Sequence, residues 1–258
     1  MWLLRQCQHY GVEIYNQTEI LRADTSPSGI LERVQLSRRG KALEISCDNL
    51  VLAAGAWTPR LYKKLFPSSD ADFCPKTNSG NWLVVKSPAK PLIHNRCEII
   101  FDDYVEHQLE FVGRNDGTIW ISGLDNRVKR LGDVKGSEVP DEDAFSMLSG
   151  YARRFLLASE MEEGDDPDVL ATGRTYRPTI DRELPIIAHV DPRKLCPVNQ
   201  TDGNCPVGDL DGPPGGVFVC SGHGRYGITL AMGSGRLMSQ MIMGDATDFD
   251  VSKLGLPG

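Results

Sequence analysis

The 258-residue sequence lacks the features that mark several classes of protein. No apolar run approaches the ~18 residues of a membrane-spanning helix, and the opening MWLLRQCQHYG has too short an apolar core for a signal peptide. A net charge of −7 argues against a nucleic-acid partner, because phosphate backbones favour basic surfaces. These absences favour a cytoplasmic protein that neither spans a membrane nor binds nucleic acid.

Metal-binding and disulfide patterns are also missing. The seven cysteines include no Cys-x-x-Cys pair, so we expect reduced thiols. A disulfide between Cys196 and Cys205, which flank a polar loop, stays an alternative. No second His or Cys stands at ligand spacing from His223, so we predict no metal site.

The most distinctive stretch that is present covers residues 220–244, CSGHGRYGITLAMGSGRLMSQMIMG. The apolar residues 217–219 predict a strand before it, and we expect a helix from about Ser234. Glycines in the turn between them let backbone N–H groups approach a ligand closely. A helix N-terminus carries unpaired donors and a positive dipole end, so the segment favours an anionic ligand.

Hydrophobic patterning predicts the elements of the first third of the chain. Alternating residues predict a hairpin formed by 30–36 and 43–47, and an apolar run predicts a strand buried on both faces at 50–54. We also expect a strand at 12–15. Thr58, followed by a proline, predicts a helix start with the threonine as its N-cap.

Short strand candidates joined by turns follow from about residue 72, which favours an antiparallel sheet. Residues 140–157 predict a helix with acidic residues in its first turn. Beyond it, we expect two strands on either side of a turn at Pro178. The polar stretch 191–216, rich in Pro, Gly and Asp, predicts a surface insertion.

Three segments in this order, LVLAAGAWTPRL at 50–61, GRTYRPTIDRELPII at 173–187 and the glycine-rich stretch, resemble the D-amino-acid oxidase, glycine oxidase and sarcosine oxidase superfamily. The resemblance implies an α/β fold: a partial doubly wound FAD-binding domain, formed by 1–66 and 172–258, with an antiparallel-sheet substrate domain at 72–171. The family's G-x-G-x-x-G turn, which holds the FAD pyrophosphate, has no counterpart before Leu50. We therefore expect that the chain corresponds to the later part of a family member, without its N-terminal half.

The resemblance also implies the site residues. It places Arg177 on the carboxylate of the substrate and Arg225 as a second substrate-side arginine, although a structural salt bridge to Asp181 or Glu183 is the alternative for Arg177. It implies no catalytic acid or base. The positions it assigns to FAD are Ile20, Ala54, Gly55, Trp57, Gly222, His223, Gly224, Arg225, Tyr226, Gly227, Ile228 and Thr229. For Ile20 a plain core role is equally compatible, and the 54–57 turn also suits a simple strand-to-helix connection.

The implied function is FAD-dependent oxidation of an amine or amino acid, with hydride transfer to the flavin. The alternative is a truncated or inactive fragment without bound flavin, acting at most as a binding module. Loss of the pyrophosphate cradle supports this alternative, since each lost charge-assisted hydrogen bond weakens binding by about 1.5–3 kcal/mol. The sequence leaves the two open.

Overall fold

The fold was analysed in a computed structural model that describes residues 2–26, 29–71, 73, 75–88, 97–102, 108–127, 141–156, 166–182, 184–195 and 216–256. The strands are β1 (Thr18–Thr25), β2 (Leu31–Arg38), β3 (Lys41–Ser46), β4 (Asn49–Leu52), β5 (Pro75–Lys86), β6 (Glu98–Asp102), β7 (Gln108–Gly113), β8 (Thr118–Arg127), β9 (Val169–Ile180), β10 (Ile186–His189) and β11 (Gly216–Ser221). The α-helices are α1 (Trp2–His9), α2 (Thr58–Leu65), α3 (Glu142–Leu156) and α4 (Gly227–Met243). The α/β class predicted from the sequence is confirmed. None of the helices in these ranges has the length and apolar character to cross a membrane.

The first sheet is an antiparallel arrangement in the order β1-β2-β3. The predicted hairpin is confirmed, with Val34 opposite Ile45 and a turn at Arg39 and Gly40. Both turn residues have positive φ values, 50° and 78°. Such values suit the tight connections of hairpins, because their backbone twist matches that of the strands.

Helix α1 ends in a glycine cap, and the strand expected at 12–15 is wrong. Gly11 has a φ of 79°, and its N–H donates to the carbonyl of Gln8 while that of Val12 donates to the carbonyl of Cys7. This pair of bonds is the Schellman motif that satisfies the last carbonyls of a helix. Residues 12–15 then form no regular structure and are exposed, and no strand in the described ranges pairs with them.

The second sheet has the order β10-β11-β4, with β11 parallel to β4 and antiparallel to β10. Val217, Phe218 and Val219 are all completely buried. A strand that pairs on both edges and is covered on both faces has a continuous apolar sequence, and this pattern is why β11 could be predicted. It is the central strand of the part of the molecule that carries the glycine-rich turn.

The third sheet is antiparallel, in the order β6-β7-β8-β5-β9. Helix α3 packs on one face through a core that includes Leu83, Leu109, Ile121 and Leu148. The side chains between these positions along the strands therefore point to the opposite face. The boundary predicted at 171/172 falls within β9, which pairs with β5 from Val169 to Ile180.

Pro178 lies within β9 rather than in a turn, so that prediction is wrong. It pairs with Thr77, and the chain bends only after Ile180. A proline has no N–H to donate to a ladder and is tolerated on an edge strand, which has a neighbour on one side only. Because β9 is the edge of the five-stranded sheet, the strand continues through the proline.

Thr58 begins α2 but does not cap it. The helix continues directly from a 3₁₀ turn at Gly55–Trp57, so Trp57 takes the N-cap position and no side chain caps the first turn. Thr58 is itself completely buried. Pro59 lies in the first turn but at its second position, not the first position that a Thr58 cap predicts, and its fixed φ and missing N–H are tolerated there.

Gly173 and Trp82 are directly opposite each other on β9 and β5. A Cβ at Gly173 would lie 2.4 Å from the indole ring of Trp82, which no real side chain could tolerate. The absence of a side chain at Gly173 therefore lets the indole lie across the neighbouring strand.

We expect Phe218→Ala to lower the free energy of unfolding by about 3–5 kcal/mol, because the truncation leaves a cavity in a packed core. Phe218 is fully buried, and its ring centroid lies 4.7 Å from that of His189. Phe249→Ala is the matched control, since that ring is 68% exposed. Urea unfolding of both variants checks the prediction, which fails if they differ little.

Candidate functional site

The two turns singled out in the sequence meet at one edge of the second sheet. Parallel strands β4 and β11 each run into a 3₁₀ turn at their carboxyl end, Gly55–Trp57 and Gly224–Tyr226. The hydroxyl of Ser221 donates to the carbonyl of Gly55 at 3.0 Å and links the two segments. The two turns are therefore adjacent. In open α/β sheets, this carboxyl edge of parallel strands is where ligands bind.

Glycines in these turns adopt backbone conformations that suit close approach. Gly55, Gly222 and Gly224 have φ values of 56°, 81° and 56°. A Cβ at Gly222 would lie 3.0 Å from Cδ1 of Ile180, whereas one at Gly55 would meet nothing within 4 Å. The turn at Gly222 is therefore packed against the third sheet, and the turn at Gly55 faces open space.

Helix α4 begins at Gly227, so the start expected at about Ser234 is wrong. Residues 227–233 continue into the helix without interruption, and the two glycines among them do not break it. No side chain caps the N-terminus. The first-turn N–H groups at Gly227, Ile228 and Thr229 thus lie directly behind the glycine turn, and the side chain of Ile228 is 95% exposed.

An open cleft of about 630 Å³ lies between the glycine turn and the end of β9. Arg177 and Arg225 both line it, as predicted. Arg177 is half-buried, since it lies on β9 at the edge of the sheet. Arg225 reaches the third sheet, where its Nη2 donates to Oε1 of Gln108 at 3.1 Å. The cleft thus lies where the glycine turn that follows the second sheet meets the third sheet.

Strand β7 presents two polar residues that sequence analysis did not select, Gln108 and Glu110. They are two residues apart, so they share the face opposite α3. Burial raises the pKa of Glu110, and a hydrogen bond with Glu98 and its charge raise it further, whereas the hydrogen bond from Ser122 and the positive charge of Arg177 partly offset this rise. Ser122 donates to Oε2 of Glu110 at 3.1 Å. Strand register alone places these two residues near the cleft, and register produces no local sequence motif by which they could have been found.

His223 is held beside the first turns of α4. Its Nε2 lies 2.8 Å from the hydroxyl of Ser234, and burial lowers the pKa of the imidazole, which favours the neutral ring. Within the part of the chain that the structure describes, no three His, Cys, Asp or Glu residues come together as metal ligands. The arrangement is that of a neutral hydrogen-bonding residue.

The other predicted cofactor residues divide between the turns and the core. Ala54 precedes the 3₁₀ turn, and the Trp57 ring contacts Tyr176 edge-on, with centroids 5.6 Å apart. Tyr226 lines the cleft. Ile20 lies on β1 and packs against the core of the first and second sheets. It is therefore not gathered into the cleft with the glycine turn.

Several sequence predictions lie outside the described residues. These are most of the insertion expected at 191–216, the cysteine pair at 196 and 205, and the alternative salt-bridge partner Glu183.

Residues 1–241 match the model of the DAO family, FAD dependent oxidoreductase. The chain therefore belongs to this family of FAD-dependent oxidoreductases. A search of curated proteins gave no match.

Solved structures share the fold at low sequence identity. Glycine oxidase from Geobacillus kaustophilus matches with a TM-score of 0.61 and 19% identity over 94% of this chain and 52% of its own. L-proline dehydrogenase from P. horikoshii matches with 0.67 and 12%, over 97% and 56%. Glycerol-3-phosphate dehydrogenase from Bacillus halodurans, complexed with FAD, matches with 0.61 and 15%, over 93% and 41%. The chain spans about half the length of these proteins.

Stability should fall on acidification partly through His223. Because burial lowers its folded-state pKa, the unfolded chain takes up a proton as the pH falls below about 6.5 while the folded protein resists it. The contribution of the neutral His223 to the free energy of unfolding is thus fully present above this pH and is lost below it. Between pH 7 and 5, His223→Gln should lose less stability than the wild type in urea unfolding. His9→Gln, at an exposed position, should behave as the wild type.

Gly222→Ala should destabilise the protein by at least about 1–2 kcal/mol, the cost of a left-handed conformation for a residue with a Cβ. The close approach of Ile180 adds to this cost. Gly233→Ala, in the exposed interior of α4, should instead stabilise by up to about 1 kcal/mol, since its Cβ meets nothing within 4 Å. Thermal unfolding shifts of the same sign in both variants would contradict the conformational role of Gly222.

Proposed function

We propose that this chain forms the substrate cleft and part of the FAD site of an enzyme that oxidises an amine or amino acid. The observation that carries the proposal is the cleft itself, where Arg177 on β9 and Arg225 in the glycine turn line one cavity at the carboxyl edge of parallel strands. Family membership supplies the cofactor class. Two of the structural relatives, glycine oxidase and L-proline dehydrogenase, are named for amino-acid substrates, which supports the choice of substrate class.

The described residues fit FAD. Open space at Gly55, the uncapped N-terminus of α4 and the positive φ values of the turns leave room and donors for a polar ring system. We assign flavin contacts to residues 222–229 and the adenosine side to Ala54, Gly55, Trp57 and Ile20. When bound, FAD supplies a hydride acceptor for oxidation of a C–N bond.

Arg177 and Arg225 would hold the carboxylate of the substrate. A guanidinium matches a carboxylate in two parallel hydrogen bonds. Arg182 also lines the cleft, so three arginines favour an anionic group there in an otherwise acidic protein. Gln108 orients the Arg225 side chain through its 3.1 Å bond. Since the cofactor supplies the hydride acceptor, the role of these residues is to fix the α-carbon against it.

The pyrophosphate end of FAD would require a further segment, supplied by another part of the polypeptide or by a partner chain. Three features of the described residues support a covering partner: β4 pairs with β11 alone, Val51 on β4 is 38% exposed, and Met232 on α4 is 66% exposed. Strand edges and apolar helix faces of this kind are normally covered.

The test uses protein that contains this chain and is loaded with FAD, assayed with amino acids as substrates. Arg177→Ala should raise KM for a carboxylate substrate by about 10–100-fold, the range expected when a hydrogen bond to a charged group is lost. Arg114→Ala, at the exposed turn between β7 and β8, is the control and should leave KM unchanged. An unchanged KM in the Arg177 variant, or no flavin binding at all, would remove the proposal.

A further inference from the structure

Asn78 stands beside Arg177 with an unused acceptor. The two residues are directly opposite each other on β5 and β9, and both line the cleft. Asn78 Oδ1 is buried and has no hydrogen-bond partner among the described residues. A buried amide oxygen without a partner costs free energy, which a ligand with a donor would recover.

Asn78 and Arg177 are close enough for a single ligand to contact both side chains. Residues opposite each other on antiparallel strands have their Cβ atoms about 4.5–5.5 Å apart and share a face of the sheet. The long arginine side chain carries its charge away from the sheet, whereas the short asparagine keeps its oxygen close to it. A small ligand whose carboxylate contacts Arg177 would thus present its neighbouring atoms to Asn78.

The charges around the cleft favour a positive group at that point. Glu110 projects from the face of the third sheet that carries Asn78 and Arg177, and it interacts electrostatically with Arg177. Asp181 also lines the cleft. The cleft is thus lined by three arginines and the carboxylate of Asp181, with Glu110 nearby on the sheet, so a ligand that carries both a negative and a positive group meets side chains of opposite charge to each.

We propose that Asn78 is a substrate-binding residue that accepts a hydrogen bond from the amino group of the substrate. The ligand class is an α-amino acid whose nitrogen keeps at least one hydrogen when charged. This inference rests on the proposed function, because it takes Arg177 as the carboxylate site.

Two variants at position 78 separate the acceptor from the rest of the side chain. Asn78→Leu removes the oxygen at similar size, and Asn78→Asp keeps an acceptor at the same place. Asn49→Leu is the matched control, because Asn49 Oδ1 is also buried without a partner in the described ranges but lies on β4, outside the residues that line the cleft. Unfolding midpoints of all three variants report whether each is folded.

The probes are N,N-dimethylglycine and glycine betaine, which differ by one N-methyl group. Both are zwitterions near neutral pH, but only N,N-dimethylglycine has an N–H. Their affinities for the purified chain are measured by NMR titration, with and without FAD. We expect the wild type to bind N,N-dimethylglycine about 10-fold more tightly than glycine betaine, the lower end of the range for a hydrogen bond to a charged group.

Asn78→Leu should abolish this preference without weakening glycine betaine, and Asn78→Asp should retain it. The Asn49→Leu control should behave as the wild type. Equal affinity of the two probes for the wild type, or a preference that persists in folded Asn78→Leu, would overturn the role of Asn78 and leave the proposed function intact. If neither probe binds and Arg177→Ala changes nothing, the carboxylate site itself is overturned, and this inference with it.

Discussion

The parallel pairing of β4 with β11 is the interaction on which the candidate site depends. It brings together two strands that are far apart in the sequence and aligns their carboxyl ends, so that the turns after them meet. The bond from Ser221 to the carbonyl of Gly55 fixes this relation at 3.0 Å. Because β11 is buried on every side, the turn that follows it is anchored to the core, and the glycines in that turn can adopt positive φ values without the turn becoming loose.

Strand β9 then connects this edge to the five-stranded sheet. It runs the length of β5, continues through Pro178, and ends against the glycine turn, where Ile180 contacts Gly222. Arg177 is thereby held at the junction of the two sheets, opposite Arg225. A single uninterrupted strand thus sets the distance between the glycine turn and the face that carries Glu110, so the position of the cleft follows from the sheet topology.

Local sequence signals predicted the parts of the site that depend on backbone conformation. The small residues at 54–56 follow one another in the sequence, and so do the glycines clustered at 222–227, so each pattern is visible there. The structure brings the two turns together. Asn78, Gln108 and Glu110 could not be found in this way, because only strand register places them near the arginines. The errors at Pro178 and at the start of α4 share one cause: proline and glycine were interpreted as breaks, whereas an edge strand and a long helix accept them.

The contact between Gly173 and Trp82 limits how this sheet can change during evolution. Any side chain at 173 would collide with the indole at 2.4 Å, so mutations there are harmful while tryptophan is present. A smaller residue at 82 would remove the clash and make variation at 173 acceptable. The order of the two mutations therefore matters, and homologues are expected to show correlated substitutions at this pair. The tryptophan is therefore the position at which variation of this pair would have to begin.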